Sequence, residues 1–385
     1  MKPFNELNAA VVGTGFIGAV HIDSIRRLGV NLAGIVGSSA DRAKSKARQF
    51  GVRHAYASYN EMLADPSVDV VHITSPNDEH PTQAEAALKA GKHVVCEKPL
   101  ALTSTETDRL RTVAVDSGLV AAVNFNIRFY PQVFEMRSRI RNNGIGTPFL
   151  VTGSYLQDWL LHDTDWNWRV ERNRGGDLRV VGDIGSHWFD LATFVTGQQI
   201  VEVLAELPTF VPVRKRPAGP VETFTSGGSG ATSDVTITSE DAALILVRFQ
   251  NGARGVVTAS QVSAGHKNGI TIEINGAKSS VSWLGERPDE LWIGHRSKPN
   301  ELLLRDPSLL SSDAAAVAAL PGGHGEGFEN SFKAMYQAVY ADIAAGKPSA
   351  DPTYANFADG HEEALIVEAV AESARTRQWT AVKRG

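Results

Sequence analysis

Cys96 is the only cysteine in this 385-residue chain, so no intramolecular disulfide can form and nothing points to an oxidising compartment. No apolar run approaches the roughly 20 residues of a membrane-spanning helix. The start, Met1-Lys2-Pro3-Phe4-Asn5-Glu6, lacks the basic opening of a secretory signal. Positive charge is not in excess: the formal net charge of -5 argues against a nucleic-acid partner. These absences predict a cytoplasmic protein with neither nucleic acid nor membrane as partner. What is present is ordinary for a globular chain, with 42% hydrophobic and 21% charged residues. The length exceeds what one core usually serves. Two domains are expected, 1–125 and 126–385, with the C-terminal helices able to pack back on the first. No internal repeat is visible.

Residues 7 to 124 alternate short apolar runs with longer amphipathic segments. Strands are expected at 7–12, 31–36, 69–74, 92–96 and 119–124. Helices are expected at 16–28, 40–50, 81–90 and from the capping-box sequence Thr103-Ser104-Thr105-Glu106 towards Gly118. Such alternation predicts a parallel sheet covered on both faces. Beyond it, helices are expected at 131–142, 183–195, 328–344 and 357–376. A strand is expected at 149–157 and mostly strands from 200 to 285, with hairpins turning at Asn251-Gly252 and Asn275-Gly276. Residues 212–233, rich in Pro, Gly, Ser and Thr, read as a long surface excursion, and 305–325 as irregular.

Gly13-Thr14-Gly15-Phe16-Ile17-Gly18 is a G-x-G-x-x-G between a predicted strand and a predicted helix, the context in which that spacing binds a dinucleotide. The glycines allow a tight turn and close approach of a pyrophosphate to the helix N-terminus. The end of the second strand commonly carries an acid for the 2'-hydroxyl of NAD. Here it reads Gly37-Ser38-Ser39, with Arg42 beyond. Ser38, Ser39 and Arg42 therefore leave both NAD and NADP open. Glu97-Lys98-Pro99 follows a parallel strand, at whose carboxyl end ligands lie, so Lys98 is placed to hydrogen-bond a substrate oxygen near the nicotinamide. Asp183 and His187 are four apart on one helix face. A histidine near neutral pKa suits removal of an alcohol proton, and a carboxylate beside it orients it or binds substrate. The same spacing fits two metal ligands, with His162, Asp163 and Asp165 as further candidates; the reading taken here needs no metal.

Together these segments resemble the Gfo/Idh/MocA oxidoreductases over nearly the whole chain. The resemblance rests on the glycine turn, on Ser75-Pro76-Asn77 with His80, on Glu97-Lys98-Pro99, and on Gly182-Asp183-Ile184-Gly185-Ser186-His187. It implies an α/β Rossmann domain with a parallel sheet, then a C-terminal α+β domain with a large open, mainly antiparallel sheet that mediates homodimers or homotetramers. It implies a nicotinamide cofactor contacted also by Ser75, Pro76, Asn77, His80 and Glu97, a carbohydrate or cyclitol substrate, and Lys98, Asp183 and His187 as the catalytic set. Tyr155-Leu156-Gln157-Asp158-Trp159 with Trp168-Arg169 is similar to the sugar-lining stretch of levoglucosan dehydrogenase-like members. Indole faces stack on pyranose C–H groups, while Gln157 and Arg169 can bind hydroxyls; core packing is the alternative for each tryptophan. Asn124 and Arg128 are further substrate candidates. The arginines at 169, 172, 174 and 179 read as ion-pair formers or as contacts for an anionic sugar. The expected activity is hydride transfer between the nicotinamide and a secondary hydroxyl of a pyranose, anhydrosugar, glycoside or inositol. A non-catalytic NAD(P)-binding regulator and a reductase of apolar substrates are the alternatives. Whether Lys98 or His187 is the base stays open.

Overall fold

The computed structural model describes residues 2–219 and 230–384. By their contacts these divide into two compact units, 1–126 with 328–364 and 127–327 with 365–385.

In the first unit β1 (Asn8–Val12), α1 (Phe16–Arg27), β2 (Asn31–Val36), α2 (Ala40–Phe50), β3 (Ala55–Tyr56), α3 (Tyr59–Ala64), β4 (Val70–Ile73), α4 (His80–Lys89), β5 (His93–Cys96), α5 (Ser104–Ser117) and β6 (Ala121–Val123) follow in order. The six strands form one parallel sheet, ordered β3-β2-β1-β4-β5-β6. The order reverses between β1 and β4, the switch point outside whose carboxyl ends nucleotides bind in such sheets. Both faces are covered, so β4 and β6 are buried at every position. Local signals set the helix ends. The Thr103 hydroxyl accepts from the Glu106 amide at 3.3 Å, the N-cap half of the expected capping box, and donates to the Glu106 carboxylate at 2.9 Å. Gly51 closes α2 in the left-handed region.

The second unit contains α6 (Pro131–Arg141), β7 (Pro148–Leu156), α7 (Arg172–Gly175), a π-helical turn (Val181–Gly185) running into α8 (Ser186–Thr196), β8 (Ile200–Glu206), β9 (Val213–Pro217), β10 (Thr232–Thr236), β11 (Ala242–Phe249), β12 (Arg254–Ser260), β13 (Gly269–Gly276), β14 (Ser280–Leu284), β15 (Glu290–Gly294), β16 (Glu301–Leu304) and α9 (Ser312–Val317). The helices α10 (Phe328–Ala345) and α11 (Phe357–Thr376) and the short β17 (Thr380–Ala381) complete the chain. Nine strands make one mixed sheet, ordered β16-β15-β14-β13-β7-β12-β11-β8-β17, antiparallel except at β7–β12. Burial alternates through the middle of β11 and β12 and gives the sheet one apolar face, against which α6 and α8 pack.

Several details depart from the sequence reading. β3 and α3 are too short to show a period. The β13–β14 turn lies at Ala277-Lys278, because Gly276 N bonds Ser279 O at 3.0 Å and so Asn275-Gly276 stay in the ladder. The 212–233 excursion is partly regular: its flanks are the antiparallel pair β9–β10, while 220–229 lie outside the described residues. The 305–325 stretch contains α9. Among the described residues no helix is long and apolar enough to cross a membrane.

Candidate functional site

The glycine turn closes β1 onto α1. A Cβ on Gly13, whose φ is +96°, would lie 2.5 Å from Thr74 O, and one on Gly18 would lie 2.4 Å from Gly13 O. Those two glycines are demanded by the chain itself. Gly15 is different: a Cβ there meets nothing within 4 Å. It is the N-cap of α1, which has no side-chain cap and no acidic residue in its first turn, and Phe16 beside it is half exposed. Open space, uncapped amides and the positive helix end fit a pyrophosphate. Ile17 completes that first turn. At the end of β2 the Ser39 hydroxyl is used locally, accepting from Arg42 N at 3.2 Å. Ser38 and Arg42 are exposed, and the Arg42 guanidinium has no bonding partner among the described residues.

The turns after β4 and β5 are tied together. Both ring nitrogens of buried His80 face carbonyls, Nδ1 at 2.8 Å from Pro99 O and Nε2 at 2.9 Å from Ser75 O. Burial pushes its pKa down against the pull of those carbonyls. The Ser75 hydroxyl is held by Gln83 at 2.7 Å; Pro76 leads into a short 3₁₀ turn in which Asn77 is buried. Glu97 is 6% exposed and anchors a polar network. Its Oε1 is 3.0 Å from His21 Nε2 and accepts from Asn124 Nδ2 at 2.5 Å, while Oε2 accepts from the Lys98 amide at 3.2 Å. Burial works against the charge, but the His21 hydrogen bond and the positive neighbours outweigh it, and the carboxyl titrates below its ordinary value. The network continues from His21 Nδ1 to His72 Nδ1 at 3.0 Å, from His72 Nε2 to Tyr340 Oη at 2.9 Å, and from Tyr336 Oη to Asn124 Oδ1 at 3.2 Å. Every ring nitrogen of His21 and His72 thus has a partner, and the tautomers set which group donates. The half-buried Lys98 therefore sits on a turn fixed from α1, β4, β6 and α10. Asn124 donates to Glu97 and accepts from Tyr336.

In the second unit the π-helical turn and α8 carry Asp183 and the buried His187, whose ring centroid is 6.1 Å from that of Tyr155. Asp183 Oδ1 accepts from Arg169 Nε at 3.1 Å and Oδ2 from Gln261 Nε2 at 2.8 Å. Arg169 is thus the partner of Asp183, and its guanidinium lies 4.5 Å over Trp168. Tyr155 Oη and Gln157 Nε2 both donate to Asn268 Oδ1, at 2.7 and 3.1 Å, and Trp159 Nε1 donates to Gln157 Oε1 at 2.8 Å. The structure thus brings Tyr155, Gln157 and Trp159 into one polar string, and Arg169 beside Asp183. Arg128 pairs with Asp190, three residues beyond His187 on α8, through three hydrogen bonds of 2.5 to 3.0 Å, and both side chains are buried. Its place after the last Rossmann strand says nothing of that distant aspartate. Of the other arginines, Arg172 pairs with Asp177 and Arg179 with Asp241. Among the described residues no group of three His, Cys, Asp or Glu is placed to hold a metal.

Sequence reasoning missed His21, His72, Gln261 and Asn268. A histidine inside the apolar run Asp69-Val70-Val71-His72-Ile73-Thr74 was a visible signal. Gln261 and Asn268 carried none, since the partner of Gln261 lies 78 positions away and those of Asn268 lie 111 and 113 away.

Family comparisons agree with this fold. Residues 7–125 match the model described as "Oxidoreductase family, NAD-binding Rossmann fold", and residues 133–282 match the GFO/IDH/MocA C-terminal domain. Levoglucosan dehydrogenase of Pseudarthrobacter phenanthrenivorans is 30% identical over 98% of both chains. Myo-inositol 2-dehydrogenase of Thermotoga maritima is 28% identical over 71% of this chain and 74% of its own. A solved levoglucosan dehydrogenase in complex with NADH and levoglucosan superposes with a TM-score of 0.88 at 28% identity, covering 98% of this chain and 100% of its own. The chain belongs to the Gfo/Idh/MocA family of oxidoreductases, with an NAD-binding Rossmann domain at its N-terminal end.

Proposed function

We propose that the protein is an NAD-dependent dehydrogenase of a pyranose, anhydrosugar or cyclic polyol. The nicotinamide, when bound, accepts or returns the hydride of a secondary carbinol carbon. The chain's own residues handle the proton and the charge. His187 takes the hydroxyl proton on oxidation and returns it on reduction. Lys98 hydrogen-bonds a substrate oxygen and stabilises its developing negative charge. Asp183, held by Arg169 and Gln261, presents a fixed carboxylate to His187 or to a neighbouring hydroxyl. Tyr155, Gln157 and Trp159 offer the sugar a face of mixed aromatic and amide groups. The observation that carries this reading is Lys98 on a turn locked by a buried carboxylate network, in a chain that also keeps an Asp183–His187 helix.

The test is purified protein mixed with NAD or NADP and a panel of sugars, anhydrosugars, glycosides and inositols, with reduced-cofactor absorbance followed. Turnover with at least one polyol is the expected result; silence with all of them under both cofactors overturns it. Both cofactors are expected to work, because no acid at Ser38 repels a 2'-phosphate and the exposed Arg42 can pair with one. Arg42→Ala should lower kcat/KM for NADP about tenfold, the worth of one exposed charge-assisted contact, and leave that for NAD within about twofold.

We also infer a homo-oligomer built on the other face of the nine-stranded sheet. Register puts Leu150, Leu246, Val256 and Leu302 on that face, through the cross-strand pairs Leu246–Val256, Val256–Thr152, Thr152–Glu273, Glu273–Ser282, Ser282–Trp292 and Trp292–Leu302. These four are 37 to 55% exposed, an apolar surface that a second copy would cover. Light scattering should give a dimer or tetramer mass; a monomer at micromolar concentration contradicts the inference.

A further inference from the structure

The β9–β10 hairpin, the flanks of the excursion that no catalytic argument used, sends one fully buried arginine into the second unit. Arg214 Nη1 donates to His162 O at 2.8 Å and to Asp165 O at 3.3 Å; its Nη2 donates to Leu160 O at 2.9 Å and to Asp241 Oδ1 at 2.9 Å. One guanidinium thus holds three carbonyls of the loop that follows Trp159. The hairpin adds further ties to that loop. Lys215 N bonds Asp163 O at 2.8 Å, and Arg216 pairs with Glu171 at 3.3 Å with its guanidinium 5.6 Å over Trp166. Val235 and Ile237 pack with Leu160, Trp166 and Val170.

Asp241 then connects this loop to the helix of Asp183 and His187. Its Oδ1 also accepts from Arg179, and its Oδ2 takes the amides of Phe210 and Val211, each at 2.7 Å. The adjacent Glu240 accepts from Arg179 N at 3.1 Å and Val181 N at 2.9 Å, so it caps the start of the π-helical turn; Arg179 O in turn accepts from Asp183 N at 2.8 Å. Gln261 closes the circuit. Its amide N–H bonds Asp241 O at 3.1 Å, its carbonyl accepts from Leu160 N at 3.2 Å, and its side chain donates to Asp183 Oδ2 at 2.8 Å.

This cluster is a poor stabiliser. The side chains of Arg179, Arg214 and Asp241 are wholly buried, and Arg179 Nε, Arg179 Nη1 and Arg214 Nε have no partner among the described residues. Desolvating two guanidiniums and leaving donors unmatched costs more than an apolar core of the same volume would. What the cluster supplies is fixed spacing. We propose that Arg179, Arg214, Asp241 and Gln261 form a positioning hub that sets the distance between Asp183 and the Trp159 loop, which makes the β9–β10 hairpin a determinant of sugar specificity. The proposal rests on the reading that Asp183, His187 and this loop act on the sugar.

The experiment uses the full-length protein and two variants, Arg214→Met and Gln261→Leu. Sugar KM and kcat are measured across the polyol panel, and NADH affinity by nicotinamide fluorescence. The expected result is a rise of about tenfold in sugar KM and a changed ranking of sugars for Arg214→Met, a fall of about tenfold in kcat for Gln261→Leu, and NADH affinity within twofold of wild type for both. If Arg214→Met does not fold, Arg214→Lys, which keeps the charge but cannot span the three carbonyls, takes its place in the sugar ranking, and Gln261→Leu, a near-isosteric change that keeps the backbone bonds, is read as before. Folded variants with sugar KM, kcat and ranking like wild type overturn the hub while leaving the dehydrogenase reading intact. NADH affinity falling in step with sugar affinity also overturns it, as the mark of general loosening. A wild-type protein that oxidises no polyol overturns both.

Discussion

Lys98→Ala should lower turnover about a thousandfold, the usual worth of a positioned proton-transfer or oxyanion partner. The fold should survive the change. Glu97 keeps its bonds to His21 and Asn124 whatever side chain follows it, and its bond to residue 98 is to the backbone amide. NADH affinity, read by fluorescence, should therefore change by no more than a few-fold. His187→Ala should cost a similar factor under the proton-transfer role proposed for it. The double variant should then be little worse than either single one, since groups that act as a unit are not additive. Near-normal turnover in both single variants would remove the assigned roles. A collapse of NADH affinity in Lys98→Ala would recast Lys98 as a cofactor anchor.

The second large effect separates two kinds of glycine. In Gly13→Ala a methyl group must enter 2.5 Å from Thr74 O at a φ of +96°. Neither the strand end nor the turn can move aside, so a loss of about 3 kcal/mol or more in stability is expected. In Gly15→Ala the methyl enters open space, and the unfolding midpoint of the cofactor-free protein should match wild type. The same methyl occupies the volume over the N-terminus of α1 that a pyrophosphate needs. NADH affinity should fall about 100-fold, equivalent to about 2.7 kcal/mol. Denaturation curves and fluorescence titrations of the two variants check both halves. Unchanged NADH binding in Gly15→Ala would mean that the cofactor does not cross the turn there.

The elements legible in the sequence were those governed by neighbours in the chain. The glycine turn, the Thr103–Glu106 N-cap and the left-handed end at Gly118 are local chemistry, and they fell where the pattern put them. The strand periods gave the two sheets. Positions decided by distant partners were not legible. Arg128 follows a Rossmann strand, yet its fate is set by Asp190, 62 positions on. Arg169 reads as a hydroxyl binder, and its bond to Asp183, 14 positions on, has no local signal. Asp241 sits between two polar residues and the apolar run of β11, so nothing nearby announces that two arginines converge on it. β15 and β16 escaped because their charged and leucine-rich stretches alternate weakly, and the ladder with β14 supplies their order.

The chain order of the first unit has a consequence for biosynthesis. A ribosome completes the six-stranded sheet early, but the tyrosines at 336 and 340 and the Ala355 carbonyl that bonds Val123 N at 2.8 Å emerge only after all of 127–327. Until then His72 and Asn124 wait without those phenolic partners, and the edge at β6 stays unfinished. A fragment ending at residue 126 should accordingly be a sticky, chaperone-seeking intermediate rather than a portable NAD-binding module. Nascent chains should acquire protease resistance in that region only when synthesis has passed residue 364.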